Sequence, residues 1–180
     1  MNKSLCYSFQ LNFLDQTDFI KHWSAKYEYL SSMECRYEEN IGKCLTPERI
    51  EQLFVWKNGS KLSSRKLQRV QDNYTATPPE NFPTRYLDHK QAGGAIWNIF
   101  YLHCIAPNEF AIFDQHAYRA MNYLKTATFR EIPKSNREKY RIYLDEYQPF
   151  VKSINGFDLR TIDRALFAFG KFLKVAAQYS

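Results

Sequence analysis

Along most of this chain a residue able to cap a helix is followed by apolar residues three and four positions apart, and then by a Gly or Pro stop. That punctuation leaves little room for a sheet. Thr46-Pro47-Glu48 is the clearest start, because Thr caps, Pro suits the first turn and Glu complements the helix dipole. Ile50, Leu53, Phe54 and Trp56 then turn inward or nearly so, and Asn58-Gly59 ends the element. Asp15 or Thr17 can cap an earlier helix carrying Phe19, Ile20, Trp23, Tyr27 and Leu30. Ser63 or Ser64 starts another, through Leu67, Val70 and Tyr74.

The stretch Thr75 to Pro83 holds three prolines and reads as a surface connection inside one fold. A short helix around Thr84 to Lys90 then meets Gly93-Gly94, followed by AIWNIFYLHCIA, which has the apolar density of a buried central helix ended near Pro107. Asp114 caps QHAYRAMNYL, a further helix runs from about Ser135 to Ile154, and Asn155-Gly156 stops it. Asp158 opens the last helix, with Leu159, Ile162, Leu166, Phe169, Phe172 and Leu173 facing the core. Only Leu5, Tyr7, Phe9, Leu11 and Phe13 alternate, as a short strand or an extended arm. The expectation is an all-α, compact, two-lobed helical domain, with the arm and first helices over 1–75 and a core over 84–180.

At 180 residues and 44% hydrophobic, the chain can bury one sizeable core. Its 14 Phe and 13 Tyr supply large packing surfaces and exclude a disordered chain. A formal charge of +6 with a pI near 9.1 tilts the partner toward a polyanion. Cys6, Cys35, Cys44 and Cys104 show neither C-x-x-C pairing nor zinc or iron–sulfur spacing, so free thiols and no metal are expected. The N-terminus lacks the continuous apolar core of a secretion signal and no stretch is long enough to span a bilayer, which implies a cytoplasmic protein without a membrane partner.

The segment GGAIWNIFYLHCIAPNEFAIFDQHAYRAM, from Gly93 to Met121, carries the most information. It resembles the core of the helix-hairpin-helix DNA glycosylases, which have a glycine hairpin, an apolar helix, a short turn and an aspartate opening the next helix, often with a following His and Arg. IDRALFAFGKFLK, from Ile162 to Lys174, looks like that family's closing helix. The usual hairpin has Gly-x-Gly preceded by Leu-Pro, whereas this chain has Gln91-Ala92-Gly93-Gly94, so the implied hairpin is degenerate. The resemblance implies double-stranded DNA as the partner and cleavage of the N-glycosidic bond of a damaged or modified base. Bifunctional members place a lysine just after the hairpin; here Ala95 and Ile96 stand there, so the implied chemistry is monofunctional, water-dependent and free of lyase activity and cofactors.

Each candidate residue has a physical role and a plainer one. Asp114 can stabilise the positive charge that develops on a sugar as its base leaves, or it can simply cap its helix. His116 and Arg119 can orient that carboxylate, the water or a phosphate, or can serve as a structural hydrogen bond and a surface salt bridge. Gly93 and Gly94 allow close approach of backbone N–H groups to a phosphate, or merely break the chain between helices. Lys57, Lys61, Arg65, Lys66 and Arg69 form a stretch without acidic residues that can track phosphates or keep a helix face solvated. His103, inside an apolar helix, reads as a core histidine. Three functions stay open: a monofunctional base-excision enzyme, a catalytically silent DNA-binding protein of the same fold, and a helical protein-interaction domain.

Overall fold

The structure is a computed structural model that describes residues 15–178; the alternating arm at Leu5 to Phe13 lies outside the described residues. Among the described residues every regular element is a helix and there is no strand. In chain order these are α1 (Gln16–Ala25), α2 (Ser31–Glu38), α3 (Pro47–Asn58), α4 (Ser64–Asn73), α5 (Phe82–Leu87), α6 (Ala95–Ile105), α7 (Gln115–Thr126), α8 (Asn136–Ile142), a π-turn (Tyr143–Tyr147), α9 (Gln148–Lys152) and α10 (Leu159–Ala176).

The starts follow local chemistry. The side chains of Asp15, Thr46, Ser63, Asp114, Ser135 and Asp158 each accept a backbone N–H from the first turn of their helix, which satisfies donors that the helix itself cannot. Gly59 ends α3 in the left-handed region, φ 72°, where a side chain would be strained. Three expectations shift. The first helix stops at Ala25 and leaves Tyr27 and Leu30 outside it. Ser31–Glu38 forms a helix of its own, burying Met33 and Tyr37. The short helix expected around Thr84 begins earlier, at Phe82, because Pro83 fits its first turn.

Two apolar clusters build the interior. One joins α1, α7, α10 and the helix formed by α8, the π-turn and α9, around Ile20, Phe113, Met121, Tyr143 and Phe169. The other joins α2, α3, α4, α5 and one side of α6, around Leu53, Phe54, Tyr86, Phe100 and Tyr101. The central helix α6 contributes Ile99 to the first cluster and Phe100 to Leu102 to the second, as its dense apolar sequence anticipates. The crossing of α7 on α10 is close. A Cβ on Gly170 would stand 2.0 Å from the His116 carbonyl oxygen, so only glycine lets the two backbones meet there.

Candidate functional site

Asp114 sits where an extended segment turns into α7. That segment is held by tertiary bonds: the hydroxyls of Tyr143 and Tyr147 donate to the Ala111 and Ile112 carbonyls at 3.2 and 2.8 Å. The Gln148 side chain accepts from the Ala111 N–H at 3.1 Å. With the approach fixed, the Asp114 carboxylate accepts the N–H groups of His116 (2.8 Å) and Ala117 (3.0 Å) through Oδ1. Its other oxygen, Oδ2, lies 3.3 Å from the Lys57 ammonium.

Lys57 comes from the last turn of α3 and is almost entirely buried, its side chain 7% exposed. Its ammonium also faces the Phe113 carbonyl and the ring of Phe100. Burial alone raises the Asp114 pKa, but the Lys57 charge, the Ala117 N–H and the nearby His116 outweigh it and hold the carboxyl below its ordinary range. Asp114 is therefore an anion at neutral pH, in a place where its charge is felt strongly.

The pair opens onto a cleft bordered by Tyr29, Trp97, His116, Lys139 and Phe167. Behind its mouth lies a smaller recess of about 30 Å³, walled by Tyr27, Trp56 and Ile112 and closed by Asp163. Tyr29, Lys57, Asp114 and Phe167 line both spaces, so the recess adjoins the cleft. Asn58 and Trp97 also border a neighbouring groove formed with Lys66, Arg69, Asn73, Ala92 and Gly93.

Several residues singled out in the sequence thus meet. Lys57, Asp114 and His116 border the cleft, and Lys66, Arg69 and Gly93 border the groove. Lys61 and Arg65 are exposed but do not line it. Gly94 caps α6 at φ 86°, and the adjoining Ala95 N–H donates to the Asn136 side chain at 3.3 Å. Gly93, at φ 101°, is required by packing as well as by the turn, since a Cβ there would stand 2.2 Å from the Tyr74 hydroxyl and 2.5 Å from Asn98 Oδ1.

Arg119 does not line the cleft and is itself 1% exposed, and it forms its ion pair with Glu131, a carboxylate at the surface. Its guanidinium donates both to the Glu131 carboxylate and to the Gly170 carbonyl at 2.9 Å, and to His116 Nδ1 at 3.1 Å. Its geometry fastens α7 to α10 and orients the His116 ring, which rests 4.9 Å from Phe167. Burial keeps the His116 pKa below the usual imidazole value, against the pull of Asp114. His103 is a satisfied core histidine: Nδ1–H donates to the Phe110 carbonyl and Nε2 accepts from the Tyr37 hydroxyl, both at 2.7 Å, and burial pushes its pKa down to about 3.

Sequence reasoning did not single out Asp163, Tyr29, Phe167 or Lys139. One signal for Asp163 was available, because it interrupts the apolar face of α10 beside Ile162, Ala165 and Leu166 and is 6% exposed. The carboxylate is paired with Arg160, which lies under Tyr37 and Trp56 and also binds Glu34. Among the described residues no cluster of His, Cys, Asp and Glu is arranged to hold a metal ion, and no helix is long and apolar enough to cross a membrane. Comparison of the chain with protein-family models, with curated proteins and with solved structures finds no match in any of the three.

Proposed function

We propose that this protein binds double-stranded DNA along the groove and releases a damaged or modified base at Asp114 by a monofunctional reaction. The observation that carries this reading is that groove and cleft adjoin, with Asn58 and Trp97 bordering both. Lys66 and Arg69, suited to phosphates, line a groove next to the cleft that holds a partly buried anionic carboxylate. A phosphate backbone lying against α4 and the Gly93 turn would bring an extruded nucleotide to the cleft, since chemistry on a base needs it out of the stack. In this reading the α5, Gly93-Gly94 and α6 segment is the degenerate helix-hairpin-helix element, and Arg119 supports the site by holding His116.

The work asked of Asp114 is electrostatic. As the bond from sugar to base breaks, positive charge develops on the sugar, and a fixed anion beside it lowers the barrier without having to reorganise. Two backbone N–H bonds hold the carboxylate in place. Lys57 keeps it ionised and belongs to this corner as a charge partner rather than as a phosphate contact.

A specific feature favours a second reading, catalytically silent DNA binding. Both Asp114 oxygens already have partners, one as a helix cap and one in an ion pair. Asp114→Asn separates the two. Asn remains a good cap of nearly the same size but lacks the charge. Base release from duplex oligonucleotides carrying alkylated, oxidised or deaminated bases is expected from wild type and is expected to fall about 100-fold or more in the variant, with duplex binding and thermal stability nearly kept. A wild type that binds such duplexes and releases none of these bases establishes the silent reading.

A further inference from the structure

Resting on that reading of the site, we infer that Asp163 is a second catalytic carboxylate: the recess it closes seats the water that attacks the sugar, and Asp163 takes that water's proton. Size is the first argument. A recess of about 30 Å³ suits a water molecule and is far too small for a nucleobase. Chemistry is the second. A buried water needs two to four polar partners, and the residues lining the recess include Lys57, able to donate, and Asp114 and Asp163, able to accept. Position is the third, because Tyr29, Lys57, Asp114 and Phe167 border recess and cleft alike, which puts a water seated in the recess next to a sugar bound in the cleft.

Asp114 is poorly suited to accept the proton, because two N–H groups and an ammonium stabilise its anionic form. Asp163 differs. It lies on the apolar side of α10, and its Oδ2 is held by Arg160. Burial pushes its pKa up to about 6 despite the attraction of Arg160 and Lys57, with the charge of Asp114 adding to the rise. A carboxylate so placed is ionised at neutral pH and remains basic enough to take a proton. Two carboxylates whose surroundings drive them apart thus divide the work, Asp114 as fixed charge and Asp163 as base.

In the step itself the water oxygen bonds to the anomeric carbon while the bond from that carbon to the base nitrogen breaks. The electron pair of the broken bond leaves with the base, the water's proton goes to Asp163, and the departing base takes a proton from solvent if it leaves as an anion. The titratable and charged groups around Asp163 are Lys57 of α3, Asp114 at the start of α7, Arg160 of α10, Tyr27 beyond α1, Tyr37 of α2 and Tyr147 of the π-turn.

The test measures single-turnover base release from the same damaged duplexes between pH 4.5 and 8, for wild type, Asp163→Asn and Asp114→Asn, with and without sodium azide. Wild-type release should fall about tenfold per pH unit below an apparent pKa near 6. Asp163→Asn should be slower by about 10²- to 10⁴-fold, should lose that limb, and should be partly rescued by azide, a nucleophile that needs no base. Asp114→Asn should not be rescued. Azide rescue confined to Asp163→Asn is an outcome that a merely structural role for Asp163 does not produce. If wild type releases base while Asp163→Asn keeps its rate or its acid limb, this inference falls and the reading of Asp114 stands. Should Asp163→Asn fail to fold, the wild-type profile decides, and a flat rate from pH 5 to 8 overturns the inference. A wild type that releases no base overturns both.

Discussion

Gly170→Ala should destabilise the protein although alanine is the better helix former. Intrinsic propensity alone forecasts a gain of about 1 kcal/mol for replacing a glycine inside a helix such as α10. The crossing with α7 reverses the sign. A Cβ on Gly170 would lie 2.0 Å from the His116 carbonyl oxygen and 2.6 Å from its carbon, so reaching an ordinary contact of 3.4 Å requires the backbones to part by more than 1 Å. Overpacking of this kind costs about 1–3 kcal/mol, and a gap opened beside Ala117, Ala120 and Leu166 also forfeits part of their dispersion contacts. The same movement lengthens the charged hydrogen bond from Arg119 to the Gly170 carbonyl, worth about 1.5–3 kcal/mol. After the propensity gain is subtracted, a net loss of about 3 kcal/mol is expected. For a chain of this size that lowers the melting temperature by roughly 6–12 °C. Thermal and urea melts followed by circular dichroism measure it. A Gly170→Ala protein as stable as wild type, or more so, would refute the argument from the crossing.

Three further outcomes follow from the same structure. Gly93→Ala should lower stability by about 2 kcal/mol, from a left-handed backbone and a Cβ driven into Tyr74 and Asn98; a melt within 1 °C of wild type would contradict this. If the groove carries phosphates, neutralising Lys66 and Arg69 together should reduce the log–log salt slope of duplex binding by about 1.8, whereas neutralising Lys61 and Arg65 should change it less; equal effects from the two pairs in a fluorescence titration would remove the groove from consideration. Folding stability should fall less steeply between pH 6 and 4 than the two depressed histidines alone would make it, because Asp163 opposes them there. The unfolded chain binds a proton at His103 below about 6.5 while the folded chain does not until about 3, so His103 costs about 1.4 kcal/mol per unit as pH falls, and His116, also depressed, acts in the same direction. Asp163, raised to about 6, is protonated in the folded chain before the unfolded one and returns a similar amount over the same window. Asp163→Asn should therefore lose stability steadily from pH 6 to 4 in urea melts, and parallel wild-type and variant curves would disprove the opposition.

How far the sequence alone reached is clearest at the helix starts. Thr46, Asp114 and Asp158 cap the helices their spacing announces, because a cap is satisfied by N–H groups two or three residues away and needs nothing from the rest of the chain. The Asn58-Gly59 stop and the buried central helix were legible for the same local reason. Ser31–Glu38 was not, since SSMECRYE lacks a strong apolar stripe and is held by packing on α3. Nor was the π-turn inside the helix expected from Ser135 to Ile154, where Tyr143 and Tyr147 reach the carbonyls of the strand-like approach to Asp114. The site divides in the same way. Asp114 could be picked out from its position at a helix start, but its ion pair with Lys57, the inward turn of Arg119 and the recess closed by Asp163 depend on which helices face each other. That choice is a sum of many weak contacts, Gly170 against His116 among them, and no short window of sequence contains it.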